Sequence, residues 1–296
     1  MGGFVVKETI LEIVKIGFPL SVIASMFAQG LSIVSTDLLV FRLRPVLMLR
    51  SLAVVLLMVP AAALAIVLVL DPERTVAIGM AILVASPAAP MMLVKVSKKG
   101  GRLAYMACLH LSLALLATLT VPITLHLFSL ALGFHAEVGV FAVSRVVGMT
   151  ILVPVCLGIL TRYFFRRVAE TIAPTLGRVA GIVLLVLGLF VVTMAYGTLL
   201  KMDLWSYFVM AVVVAVAIAI GHWLGPQDAE ERTTLAMESA ARHPGLAMTI
   251  AALNFSPEKA LPVLIPYLIV FMLVTTVYLQ WRKRTAGSMI ASDARI

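Results

Sequence analysis

The chain has 296 residues, 62% of them apolar and only 12% charged, with a mean hydropathy of +1.11 and a formal net charge of +9. Soluble domains carry roughly 25% charged residues, so a soluble globular enzyme, a disordered chain and a nucleic-acid binder are excluded. Runs such as AALAIVLVL at 62–70 and VMAVVVAVAIAIGHWL at 209–224 need lipid around them, which predicts an all-α polytopic membrane protein.

Cutting the chain at its charged and Pro/Gly-rich stretches predicts about nine transmembrane helices of roughly 20 residues or more, the length a ~30 Å hydrocarbon core requires. In chain order they cover 13–34, 45–70, 74–98, 103–130, 138–164, 177–200, 204–224, 230–254 and 260–281. The first has an apolar run too long for a signal peptide, and Lys7 and Lys15 are offset by Glu8 and Glu12, so it is expected to be retained. Cys108 and Cys156 fall inside spans without metal-type spacing and read as small buried hydrophobes.

The loops separate by charge. One side receives Arg42, Arg44, Arg50, Lys95, Lys98, Lys99, Arg102, Arg162, Arg166, Arg167, Arg178, Arg232, Arg282, Lys283, Arg284 and Arg295, and the other only Lys7, Lys15, Arg74, Lys201 and Lys259. The positive-inside rule then places the C-terminus in the cytoplasm and the N-terminus outside, in a multi-pass protein of the cell (inner) membrane. The basic charge is topological rather than a polyanion site.

The third span is interrupted by SPAAP (Ser86 to Pro90) and the eighth by RHPG (Arg242 to Gly245). Proline removes a backbone donor and clashes with the preceding turn, so both should break. They lie five spans apart, an odd number, so two structural repeats would be inverted: 1–132 with four spans and 133–285 with five, followed by a cytoplasmic tail at 286–296. Interrupted segments at matching places in two halves point to the binding site of a secondary transporter.

Ionisable groups at mid-membrane are expensive and mark function. The eighth span holds Glu238, Arg242 and His243. On an unbroken helix Glu238 and Arg242, four residues apart, would share a face and pair. Carbonyls at the break could hold a cation and the following half-helix could face an anion. Further candidates for the substrate and ion site are Ser86 and Pro90 at the first break, Thr249 after the second, and His110 and Ser112 in the fourth span. The other polar residues there, Thr118, Thr120, Thr124 and His126, fit bonds to their own helix backbone. The Gly177/Gly181 pair most simply permits close helix packing. Arg145, near the end of the fifth span, can snorkel. No nucleotide-binding loop, H-E-x-x-H or G-x-S-x-G occurs, so neither a pump nor a hydrolase has a signature; the chain is not expected to be an enzyme or to need a cofactor.

Several stretches resemble the bile acid:sodium symporter superfamily: FAQGLSI at 27–33, FRLRP at 41–45, SPAAPMMLVKVSKKGG at 86–101, TVP at 120–122 and ESAARHPGLAMTIA at 238–251, over roughly 25–281. The resemblance implies a core and a panel domain, two discontinuous helices crossing at the centre, inverted five-helix repeats with the first helix missing here, and transport of organic anions, bile-acid-like or small carboxylates. The related arsenite exporters would need a membrane cysteine near the first break, and Cys108 lies too far along the next span. A transport-incompetent sensor or scaffold of the same fold is the other alternative. The small organic anion and the lipid bilayer are the implied partners, with a homodimer compatible and nucleic acid excluded.

Sodium binding in the superfamily uses oxygens. Of these the chain keeps Glu238, which would be the sodium ligand. The Ser-Asn pair of the family falls on Met91, Met92 or Leu93, an early glutamine on about Val55, a glutamine at the second break on Arg242, and a hydroxyl pair near His110 to Ser112. Thioether and aliphatic groups do not serve a hard cation. The guanidinium of Arg242 would therefore stand in for one sodium ion, leaving transport sodium-independent or coupled to protons through Glu238 or His243.

Overall fold

The computed structural model describes residues 2–33, 40–87, 103–134, 140–199, 202–254 and 257–293, and among them every regular element is helical. In chain order these are α1 (Gly2–Ser32), α2 (Pro45–Leu70), α3 (Arg74–Val84), α4 (Leu103–Leu132), α5 (140–164), α6 (Arg166–Leu199), α7 (Leu204–Trp223), α8 (Ala229–Ala240), α9 (Pro244–Asn254) and α10 (Pro257–Asp293). Six stretches are long and apolar enough to cross a membrane: Pro45–Leu70, Tyr105–Leu132, Val143–Phe164, Arg166–Phe190, Leu204–Trp223 and Val263–Thr285. They correspond to six of the nine expected spans. The first expected span is apolar over Ile16–Ser32 and the third over Arg74–Val84, and the eighth is two short helices, α8 and α9.

Proline sets the local irregularities. A π turn at Val54–Met58 precedes Pro60 in α2, and another at Gly148–Leu152 precedes Pro154 in α5. Each proline lacks the N–H that would bond four residues back, and its ring crowds that carbonyl; a locally wider turn relieves both. α2 stops at Asp71, whose left-handed backbone (φ 42°) closes the helix ahead of Pro72. Pro174 does not interrupt α6, which continues for 34 residues and starts eleven residues before the expected span. α1 likewise begins at Gly2, and α10 runs to Asp293, beyond the expected end at 281.

The helices pack as two groups in broad contact, α4 along α5 and α9 against α1. α1 lies along α6 and α5. The α1–α5 crossing is close because two glycines face each other: a Cβ on Gly30 would lie 2.3 Å from the Val155 carbonyl, and one on Gly158 would lie 2.4 Å from that of Phe27. The expected close-packing pair on α6 has no such role, since Gly177 meets only the Ala28 Cβ at 3.7 Å and Gly181 faces open space. In the second group, α3 and α8 are buried on nearly every side among α2, α4, α7 and α10. Gly79 of α3 lets Val263 of α10 approach, and Gly221 of α7 lets Ala236 and Ser239 of α8 approach. The outward faces of the long helices carry exposed Leu, Val, Ile and Phe, which suits lipid contact.

Candidate functional site

The second break is closed on both sides by adjacent residues. α8 begins with Asp228, whose carboxylate accepts from the N–H groups of Glu230 (3.1 Å) and Glu231 (2.9 Å), a helix N-cap. It ends at Ala240, and Ala241 turns the chain out of the helix with φ −68° and ψ 127°. The last carbonyls of α8 would then be orphaned. Arg242 Nη2 donates to the Ser239 carbonyl at 2.8 Å, and the Tyr267 hydroxyl of α10 donates to that of Ala240 at 3.2 Å. A cation at a helix C-terminus is also favoured by the helix dipole.

His243 opens α9. Its carbonyl accepts from Ala247 at 3.0 Å and its ring Nδ1 accepts from the Leu246 N–H at 3.1 Å, with Pro244 pre-set at the first helical position. The His243 backbone N–H bonds the Ser86 carbonyl at 2.9 Å. Ser86 follows the end of α3, so the chain leaving α3 is joined directly to the start of α9.

Glu238 does not pair with Arg242. The helix ends two residues after Glu238, so Arg242 does not fall on the same face one turn on, and its guanidinium turns back to Ser239. Glu238 Oε1 instead meets Nδ1 of His110 on α4 at 3.4 Å, with both side chains at most 2% exposed. Arg242 feels the Glu238 charge from nearby and has the Tyr267 hydroxyl beside its guanidinium.

Several polar atoms around the break are fully buried without a hydrogen-bond partner: Glu238 Oε2, His110 Nε2, Arg242 Nη1 and His243 Nε2. Each such group costs about 1 to 3 kcal/mol when left unsatisfied, and a cluster of them calls for an explanation. The remaining sequence candidates behave differently. Ser86 Oγ, Ser112 Oγ and Thr249 Oγ1 donate to their own helices, to the carbonyls of Ile82 (2.8 Å), Cys108 (2.8 Å) and Gly245 (2.9 Å), leaving their lone pairs available. Pro90, Met91, Met92 and Leu93 lie outside the described residues.

Sequence reasoning missed Gln29. Together with His110 it lines a cavity of about 40 Å³ between α1, α4 and α5, whose walls include Ser32, Leu111, Ala114 and Val155. That volume holds a few waters or a small functional group. Gln29 Nε2 and His110 Nε2 are each buried without a partner. No signal along the chain couples residues 29 and 110; the FAQGLSI stretch marks Gln29 only as a polar residue in an apolar span.

No individually curated protein matches the chain. The sequence profile of the Sodium Bile acid symporter family matches residues 19–203, more than half of the chain, from within α1 to the end of α6 and including all three walls of this cavity. The matched stretch ends before Glu238 and Arg242, so the second break is read from its geometry alone. With several apolar helices of spanning length and this match, the protein is a multi-pass membrane protein that belongs to the Sodium Bile acid symporter family.

Proposed function

We propose that the chain is a secondary transporter of an organic anion, bile-acid-like or a small carboxylate, working by alternating access with the fixed charge of Arg242 in place of a sodium ion. The observation that carries this reading is the buried Arg242 guanidinium, tied to the end of α8 while Glu238 is held by His110 rather than left free for a metal. An alkali cation seeks oxygen ligands, and here a ring nitrogen takes one oxygen of the carboxylate while the Arg242 charge acts on it from nearby. Arginine also captures carboxylates bidentately, and Arg242 Nη1 has no partner of its own.

The packing supports the rest of the reading. α1, α5 and α6 form a panel, and α2, α3, α4 and α7 to α10 form a core, with the interrupted spans as matching members of inverted repeats. The basic loops put the C-terminus in the cytoplasm.

Uptake of labelled organic anions into proteoliposomes, in sodium and in choline at matched ionic strength, tests this. Wild-type uptake is expected to be indifferent to sodium, and Arg242→Gln to gain a sodium response. Sodium-dependent wild-type uptake, or an Arg242→Gln variant as indifferent as wild type, would overturn the arginine substitution. Binding without flux would identify a sensor.

A further inference from the structure

Two opposite charges at the second break stay apart although each has an unused atom. Arg242 Nη1 and Glu238 Oε2 are both fully buried, and neither has a hydrogen-bond partner. The guanidinium is near enough to feel the carboxylate charge, and an arginine beside a carboxylate ordinarily takes it in a charge-assisted bond. Here two neutral oxygens occupy the guanidinium instead. Nη2 donates to the Ser239 carbonyl at 2.8 Å, and the Tyr267 hydroxyl lies beside the same group. That hydroxyl gives its own proton to the Ala240 carbonyl at 3.2 Å, so toward Arg242 its oxygen only accepts. Tyr267 is 1% exposed and stands on α10, outside both interrupted spans.

The Ser239 contact is made within three residues of Arg242, by the backbone that leaves α8. The Tyr267 contact comes from another helix and depends on a single oxygen atom. We propose that Tyr267 is a positioning residue for transport: anchored on the Ala240 carbonyl, its hydroxyl holds the Arg242 guanidinium off Glu238. The inference rests on the transporter reading above and adds to it a residue that acts only through Arg242. Without the hydroxyl, the guanidinium loses one of its two neutral oxygens, while Glu238 Oε2 is an acceptor still unfilled. A guanidinium closed onto that carboxylate in a low-dielectric interior is held strongly. A substrate carboxylate then has to compete with an internal one, so the hydroxyl keeps Arg242 available instead of neutralised.

The test is Tyr267→Phe, which keeps the buried ring and removes only the hydroxyl. It is made in wild type and in Arg242→Gln, and uptake of labelled succinate and cholate into proteoliposomes is measured in sodium for all four proteins. Such a cycle separates action through Arg242 from action on its own. In wild type, loss of the hydroxyl is expected to raise the KM for the anion about tenfold with kcat changed less than about threefold. In Arg242→Gln it is expected to leave KM unchanged. A hydroxyl that merely caps Ala240 would cost the same in both backgrounds; that result overturns the inference and leaves the transporter reading standing. An unchanged KM in Tyr267→Phe also overturns it. Where Arg242→Gln alone takes up no anion, thermal melts of the four proteins decide: the hydroxyl is expected to count differently with and without Arg242, and additive shifts overturn the inference. Uptake absent from wild type as well overturns the transporter reading, and the role in transport with it, even where the melts show the contact.

Discussion

The backbone N–H of His243 donates to the carbonyl of Ser86 across 2.9 Å, joining the start of α9 to the chain that leaves α3, 157 residues earlier in the sequence. The bond is made by main-chain atoms alone, so side-chain substitution at Ser86 does not remove it. The structural importance of the His243 side chain lies in its cap on α9.

This separation gives a first prediction. Ser86→Ala is expected to change the melting temperature of the detergent-purified protein little, since its hydroxyl bonds only its own helix. His243→Leu removes the acceptor for the Leu246 N–H and is expected to destabilise by about 0.5 to 2 kcal/mol, the usual range for a lost helix cap. His243→Asn supplies a good capping side chain and should recover most of that loss. Equal melting of the leucine and asparagine variants would show that the cap is not what the ring contributes.

Glu238→Gln keeps the shape of the side chain and removes its charge. His110 Nδ1 retains a carbonyl oxygen to bond, so the fold should persist, while Arg242 loses the negative charge nearby. Uptake is expected to fall by more than tenfold with a melting curve that stays cooperative. His110→Ala is expected to be the less stable variant, because it leaves a buried carboxylate with neither oxygen paired. Full activity of Glu238→Gln would remove this carboxylate from the transport cycle.

The two ion pairs at helix starts should differ sharply. Arg44 Nη1 meets Glu231 Oε1 at 2.6 Å with Glu231 only 1% exposed, whereas Arg166 and Glu170 are 75% and 48% exposed. Arg44→Gln is expected to destabilise by about 1.5 to 3 kcal/mol, the range for a hydrogen bond to a charged group. Arg166→Gln should barely move the melting temperature, and less still in high salt. Thermal melts at two salt concentrations distinguish them.

Much of the fold was legible because its punctuation is local. The expected span 45–70 coincides with Pro45–Leu70, and 204–224 ends one residue beyond Trp223. Pro45 and the Asp71-Pro72 pair bound the first, and the Lys201 to Asp203 stretch opens the second. Arg242 and His243 were legible as an ionisable pair beside a proline. Their roles were not. A four-residue spacing implies a shared face only while the helix continues, and this one ends at Ala240, so the expected Glu238–Arg242 pair gives way to Glu238–His110. That contact joins residues 128 apart, and nothing local encodes it. The start of α6 was missed for the opposite reason: RRVAETIAP is too polar for a span, yet its residues form a good helix that packs Ala169 and Ala173 against Leu31 of α1.

Among the glycines, position decides the outcome. Gly30→Ala and Gly158→Ala would each place a Cβ less than 2.5 Å from a backbone carbonyl oxygen of the facing helix, and both are expected to lower the melting temperature substantially. Gly181→Ala adds a methyl group where nothing lies within 4 Å, and is expected to be neutral or to stabilise by up to about 1 kcal/mol. A milder effect at Gly30 than at Gly181 would contradict the close crossing.

That crossing also constrains motion. Two helices that touch backbone to backbone can neither slide nor roll against each other without forcing Cα atoms into carbonyl oxygens. α1 and α5 are thus mechanically one piece, welded at Gly30 and Gly158, and the Val155 and Gln29 walls of the cavity travel together. α4 is the third wall, it carries His110, and it too packs along α5. His110 thus lines the cavity and holds Glu238 near the end of α8, so a single side chain serves both places.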